Sequence, residues 1–269
     1  MPDASMKELR PVRHRNWLAT PRVIMALILR EMSTTYGRSP GGYLWAILEP
    51  VAGIALLTAI FSAGFRSPSL GVNFALFYAT GILPFQLYMD VQGKVSVSLQ
   101  FSQALLGYPR LTFVDTILAR FILNTLTQLL VSSIIFGFIF LYFETRTSLD
   151  PEKIIIGYAM ASALGLGVGA FNCYLILLFP VWQRVWAIAN RPLFLISCIF
   201  FLFESVPEPY NNILWFNPVV HIVGMMRDGF YPYYQPTYVS VVYVMGLSMI
   251  LMAAGILMLR RHHRNLLDN

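Results

Sequence analysis

The chain has 269 residues, of which 57% are hydrophobic and 12% charged, and a formal net charge of +6. Soluble domains carry about 25% charged residues, so this composition excludes a water-soluble globular fold and makes the bilayer the solvent for much of the chain. The basic excess sits at the chain ends, where membrane topology explains it, and nucleic acid is not expected as a partner.

Residues 1–41 form the first unit, a cytoplasmic arm followed by an interfacial helix. Lys7, Arg10, Arg13, His14 and Arg15 make residues 1–16 polar. Thr20-Pro21 reads as a helix start, a cap followed by a first-turn proline. Pro21, Ile24, Met25, Ile28 and Met32 then recur at helical spacing, with Arg22, Arg30 and Glu31 on the other side. The segment is too short and too charged to span, and it reads as an amphipathic helix in the membrane interface. A soluble helix packed on a partner is the alternative. The first long apolar run begins only at Gly42, with no small-residue cleavage site after a short apolar core, so a cleavable signal peptide is not expected.

Residues 42–259 are expected to form an all-α domain of six transmembrane helices, at about 42–65, 74–94, 113–142, 154–179, 185–203 and 237–259. From Gly42 to Phe65 the only charge is Glu49. Those residues make a helix about 36 Å long, against a bilayer core of about 30 Å. The second span carries Pro84, which predicts a kink. It also carries Asp90 and Lys94, four apart and expected to pair on one face. Residues 103–113 predict a short helix closed by Gly107 and Pro109. Gly157, Gly165, Gly167 and Gly169 in the fourth span either permit close helix approach or are merely tolerated in lipid. Residues 204–236 are rich in proline and aromatics, and Asn217-Pro218 opens a helix there that is too short to span, hence re-entrant or interfacial. A basic tail, 260–269, closes the chain. Of the 19 Lys and Arg residues, 15 fall on the side that holds both termini, which the positive-inside rule makes cytoplasmic.

Chemical machinery is sparse. Gly93-Lys94 has Tyr88 where a phosphate-binding loop needs its first glycine. Cys173 and Cys198 lie in apolar runs without metal-ligand spacing. The four histidines, His14, His221, His262 and His263, form no set with carboxylates. The sequence thus predicts no enzyme, no metal and no cofactor of its own, and transport would need a separate motor.

The run Gly42-Tyr43-Leu44-Trp45-Ala46-Ile47-Leu48-Glu49-Pro50, preceded by Leu29-Arg30-Glu31 and Tyr36-Gly37, resembles the opening of membrane subunits of type-II ABC exporters of polysaccharides and glycolipids. Phe77-Tyr78-Ala79-Thr80-Gly81-Ile82-Leu83-Pro84-Phe85, Leu106-Gly107-Tyr108-Pro109-Arg110, Asn190-Arg191-Pro192-Leu193, Phe201-Leu202-Phe203-Glu204-Ser205 and Asn217-Pro218-Val219-Val220-His221 look most like the capsular polysaccharide branch.

The resemblance implies a permease half in a bacterial inner membrane, paired with a second copy of itself and with two copies of a cytoplasmic ATPase that holds ATP and Mg. Periplasmic co-polymerase-like and outer-membrane export proteins, membrane lipid and a lipid-linked acidic polysaccharide complete the implied partners. O-antigen, teichoic acid or another glycolipid is the alternative cargo, and a membrane-embedded glycosyl- or acyltransferase is the alternative class. Gln103, Leu106, Gly107, Tyr108, Pro109 and Arg110 would meet the motor, Arg110 through an acid on it or else through lipid phosphate. Arg30, Glu31 and Tyr36 would close the cytoplasmic mouth or hold the interfacial helix. Tyr43, Trp45, Glu49, Phe85 and Tyr88 would line the path, although Tyr43 and Trp45 also suit an interfacial belt and Glu49 also suits a bond to another helix end. Tyr210, Trp215, Arg227, Phe230 and Tyr231 would form an outer gate. The aromatics there equally suit anchorage at the headgroups, and Arg227 suits either an anion or its own helix's dipole.

Overall fold

The computed structural model describes residues 19–35, 42–103 and 111–267. Every regular element among them is helical. In chain order these are α1 (Ala19–Thr35), α2 (Gly42–Gly64), α3 (Phe74–Ser96), α4 (Ser98–Phe101), α5 (Phe113–Tyr142), α6 (Pro151–Leu178), α7 (Trp182–Ala189) and α8 (Arg191–Leu195). A 3-10 turn (Phe203–Ser205), α9 (Tyr210–Trp215), α10 (Pro218–Phe230) and α11 (Val241–Leu267) follow.

Local chemistry fixes most starts. Asn73 accepts from the Leu76 N–H at 3.1 Å and opens α3. Thr112 and Asp115 exchange bonds in a capping box that opens α5. Asp150 caps α6, with Pro151 in the first turn, where its missing N–H is harmless. Asn217 does the same for α10, also followed by a proline.

Five helices, α2, α3, α5, α6 and α11, are long and apolar enough to cross a membrane. The span expected at 185–203 is not one helix. The chain breaks at Asn190, restarts as the five-residue α8 and becomes irregular after Leu195. Pro192 explains the break: it cannot donate to the preceding turn, and its ring clashes with the carbonyl four residues back. Hydropathy alone read through this interruption.

The core centres on α3, which lies against α2, α5, α6 and α10. Close approach of α6 requires glycine. A Cβ at Gly165 would sit 2.9 Å from the Val91 side chain, and one at Gly169 would sit 2.7 Å from Val95. On the other face of α6, a Cβ at Gly255 of α11 would lie 2.6 Å from the Ala170 backbone. Small residues thus bring backbones together where lipid offers no hydrophobic drive. By contrast α2 exposes Leu44, Trp45, Leu56 and Ile60 along its length. At the opposite end of the bundle from α1, Lys153 Nζ meets Asp228 at 2.8 Å and the Asp150 N–H donates to the Gly229 carbonyl at 2.8 Å, tying the start of α6 to the end of α10.

Candidate functional site

Helices α2, α3 and α5, with Phe194 of α8, enclose a cleft of about 670 Å³. Spacing puts the polar groups there. Gln86, Asp90 and Lys94 recur every four residues, so α3 presents them on one face, and Trp45, Glu49 and Gly53 do the same on α2. Gln128 enters from α5. Trp45, Glu49 and Phe85, all expected on the path, therefore share one cleft. Tyr88 does not: it is buried and lines a separate cavity of about 240 Å³ with Leu164 and Leu193. The Tyr43 side chain lies outside the described set.

The expected Asp90–Lys94 pair does not form. The Asp90 carboxylate instead accepts from Gln128 Nε2 on α5. A tertiary partner across the α3–α5 contact takes the acid before its neighbour on the same helix can. Lys94 makes no ion pair among the described residues. It stands where the first cleft meets a second, of about 460 Å³, whose far wall is α7. There Trp186 Nε1 donates to Gln92 Oε1 at 2.8 Å.

A clasp joins α1 to the bundle. Glu31 Oε1 lies 3.1 Å from Arg120 Nε of α5, and both side chains are buried. Arg120 Nη1 also donates to the Lys94 carbonyl at 2.8 Å, and its guanidinium lies 4.0 Å from the centre of the Phe101 ring. The Arg30 guanidinium lies 5.4 Å from the centre of the same ring. Burial pushes the Glu31 carboxyl above its ordinary range, and the neighbouring charges of Arg120, Lys94 and Arg30 act against that shift. Arg120 is the residue that sequence reasoning missed. Its one signal was a basic side chain inside a long apolar span. Of the expected motor contacts, Gln103 is exposed. Leu106, Gly107, Tyr108, Pro109 and Arg110 lie outside the described residues, as does Tyr36.

Most of the residues expected at an outer gate are buried. Arg227 is fully buried. Its guanidinium donates to the carbonyls of Phe201 at 3.0 Å and Ile199 at 2.9 Å, and lies 4.2 Å from the centre of the Phe77 ring. It meets neither an open surface nor the carbonyls of its own helix end. The broken segment after α8 leaves carbonyls without helical partners, and Arg227 supplies the donors. Phe230 is buried and stacks on Phe136 with centroids 4.4 Å apart, and Tyr231 is buried as well. Trp215 is half-buried and donates to the Tyr238 carbonyl at 3.1 Å. Tyr210 alone of the five is exposed. Buried His221 accepts from the Ser240 N–H at 3.1 Å and contacts the Trp215 carbonyl at 2.8 Å, so its two ring nitrogens tie α10 to the end of α9 and to the residue before α11. Among the described residues no group of three His, Cys, Asp or Glu could hold a metal.

Five helices long and apolar enough to cross a membrane, a polar cleft between three of them, an interrupted span and a short capped helix define an integral membrane protein. Residues 22–231 match the ABC-2 type transporter family, and the chain belongs to that family. It is 30% identical over 249 residues to the polysialic acid transport protein KpsM of Escherichia coli, covering 91% of this chain and 95% of the relative. It is 25% identical over 264 residues to the capsule polysaccharide export inner-membrane protein CtrC of Neisseria meningitidis serogroup A, covering 95% and 97%. It is 23% identical over 240 residues to the capsule polysaccharide export inner-membrane protein BexB of Haemophilus influenzae, covering 89% and 90%.

Proposed function

We propose that this chain is the membrane half of an ATP-driven exporter that carries a lipid-linked, acidic capsular polysaccharide across a bacterial inner membrane. The observation that carries the proposal is the 30% identity to a polysialic acid transport protein over nearly the full length of both chains. A separate cytoplasmic ATPase supplies the energy, consistent with a family of transporter subunits and a sequence without a phosphate-binding loop.

Two copies of the chain work with two of that ATPase. The long exposed apolar face of α2 supports a pairing surface there. Both termini face the cytoplasm, supported by the distribution of Lys and Arg. In this reading α1 lies in the cytoplasmic interface, held by the Glu31–Arg120 clasp, and residues 103–113 follow the motor. Polymer passes the cleft walled by Trp45, Glu49 and Phe85. Tyr210 stands at the outer face, where periplasmic and outer-membrane export proteins receive the chain.

Deleting the gene and locating the polymer tests this. The expected result is full-length polysaccharide trapped inside the cell, with its surface coat lost. Unchanged capsule with loss of a different surface glycan would refute the cargo. Absence of polymer in every compartment would replace export with synthesis.

A further inference from the structure

We infer that the cleft between α2, α3 and α5 reads the hydroxyl-bearing edge of a sugar chain, with the amide oxygens of Gln86 and Gln128 accepting from sugar hydroxyls. The inference rests on the export reading and names the chemistry that this part of the path recognises.

Unpartnered atoms carry it. Gln128 is 7% exposed and lines the cleft. Its Nε2 is taken by Asp90, and the opposite amide orientation would press oxygen against carboxylate. Its Oε1 is then an acceptor, and among the described residues it has no donor. Gln86 Oε1, four residues before Asp90 on the same face of α3, is likewise buried without a donor among the described residues. Buried amide oxygens are nearly always bonded, because leaving one unmet is costly.

The remaining polar groups point the same way. Glu49 and Asp90, once ionised, also only accept. Among the described residues, Lys94, at the junction with the second cleft, is the only basic residue lining either one. A ligand suited to this cleft is rich in donors and is not an anion held against the two carboxylates. Trp45 and Phe85 offer apolar ring faces, and about 670 Å³ is an ordinary size for a small-molecule site. A pyranose has this character, with hydroxyls around its edge and C–H groups on its faces. Acidic substituents of the cargo would face away from Glu49 and Asp90, toward Lys94 or water.

The test is calorimetric titration of the full chain in phosphatidylcholine nanodiscs, whose headgroups have no hydroxyl to donate. The probes are maltohexaose, permethylated maltohexaose and a sialic acid hexamer. The inference expects maltohexaose to bind, and permethylation, which removes every donor, to weaken it at least tenfold in the unaltered protein. Gln86→Leu should weaken maltohexaose by about tenfold, as loss of one hydrogen bond does. Esterifying the carboxylates of the sialic acid hexamer should not weaken it. Equal binding of the permethylated probe, no binding of maltohexaose, an unchanged Gln86→Leu, or a hexamer that needs its free carboxylates would each overturn the inference. The gene deletion separates the two levels. Polymer trapped inside with a failed titration removes the hydroxyl subsite alone, whereas unaltered surface polymer in the deletion strain removes the export reading.

Discussion

Replacing Glu31 with Gln should cost more stability than replacing Arg120 with Gln, although each breaks the same ion pair. Glu31→Gln leaves a buried guanidinium that cannot lose its proton without a counter-charge, facing only a neutral amide, the Lys94 carbonyl and the Phe101 ring. Breaking a buried pair in this way costs about 3–5 kcal/mol. Arg120→Gln strands a carboxylate instead, and burial already raises the Glu31 carboxyl, so it can take up a proton and stay neutral. That escape should hold the cost to about 1–2 kcal/mol, near that of a lost hydrogen bond. The double variant places amide against amide and should recover roughly 2 kcal/mol relative to the sum. For a chain of this size, about 3 kcal/mol corresponds to a midpoint lowered by roughly 6–12 °C. Thermal unfolding of the four proteins in one detergent, followed by loss of monodispersity, gives the comparison.

The pH dependence has a definite sign. A carboxyl whose folded value is raised binds its proton more tightly folded than unfolded, so its contribution is present at low pH and lost as pH rises through the raised value. Arg120→Gln should therefore be more stable at pH 5 than at pH 8. Additive single costs, or an Arg120→Gln variant indifferent to pH, would refute the clasp as described.

Arg227→Met removes both donors to the Ile199 and Phe201 carbonyls. It should destabilise the fold by about 2–4 kcal/mol and so lower the amount of folded protein in membranes at least severalfold, and a normal level on an immunoblot would contradict the buried role. Gly169→Val should destabilise by about 1–3 kcal/mol, since even a Cβ would lie 2.7 Å from Val95. Gly53→Ala, with nothing within 4 Å of its new Cβ, should leave the midpoint unchanged; equal effects at the two sites would undo the packing argument. His221→Phe removes the bonds that tie α10 to the end of α9 and to the residue before α11, and should expose those junctions to added protease, whereas an unaltered digestion pattern would show that the ring merely fills space.

What the sequence disclosed was local. Helices α3 and α5 fall almost where hydropathy puts them, and the structure shows their starts capped by the adjacent Asn73, Thr112 and Asp115. The glycines of α6 were visible as a motif, and the structure shows the close approaches they allow. Tertiary partners were not visible. Asp90 had Lys94 one turn away, yet Gln128 claims it from 38 positions off. Arg120 finds Glu31 on a helix that any one-dimensional reading treats as a separate unit. Arg227 looked like an outer-face cation because its two acceptors exist only where α8 gives way to irregular backbone, and hydropathy had read that stretch as a helix. Of the path residues, the repeat of four along α2 and α3 was enough to gather Trp45 and Glu49 opposite Asp90. Tyr88, two positions from Gln86, necessarily points elsewhere.

Transport itself is the central claim, and inverted inner-membrane vesicles test it most directly. Vesicles carrying this chain and its ATPase would be given radiolabelled capsular polymer and then a polymer-degrading lyase. The account predicts that ATP makes a fraction of the polymer resistant to the lyase, and that this fraction vanishes in vesicles lacking the chain. Equal protection with and without the chain would contradict it.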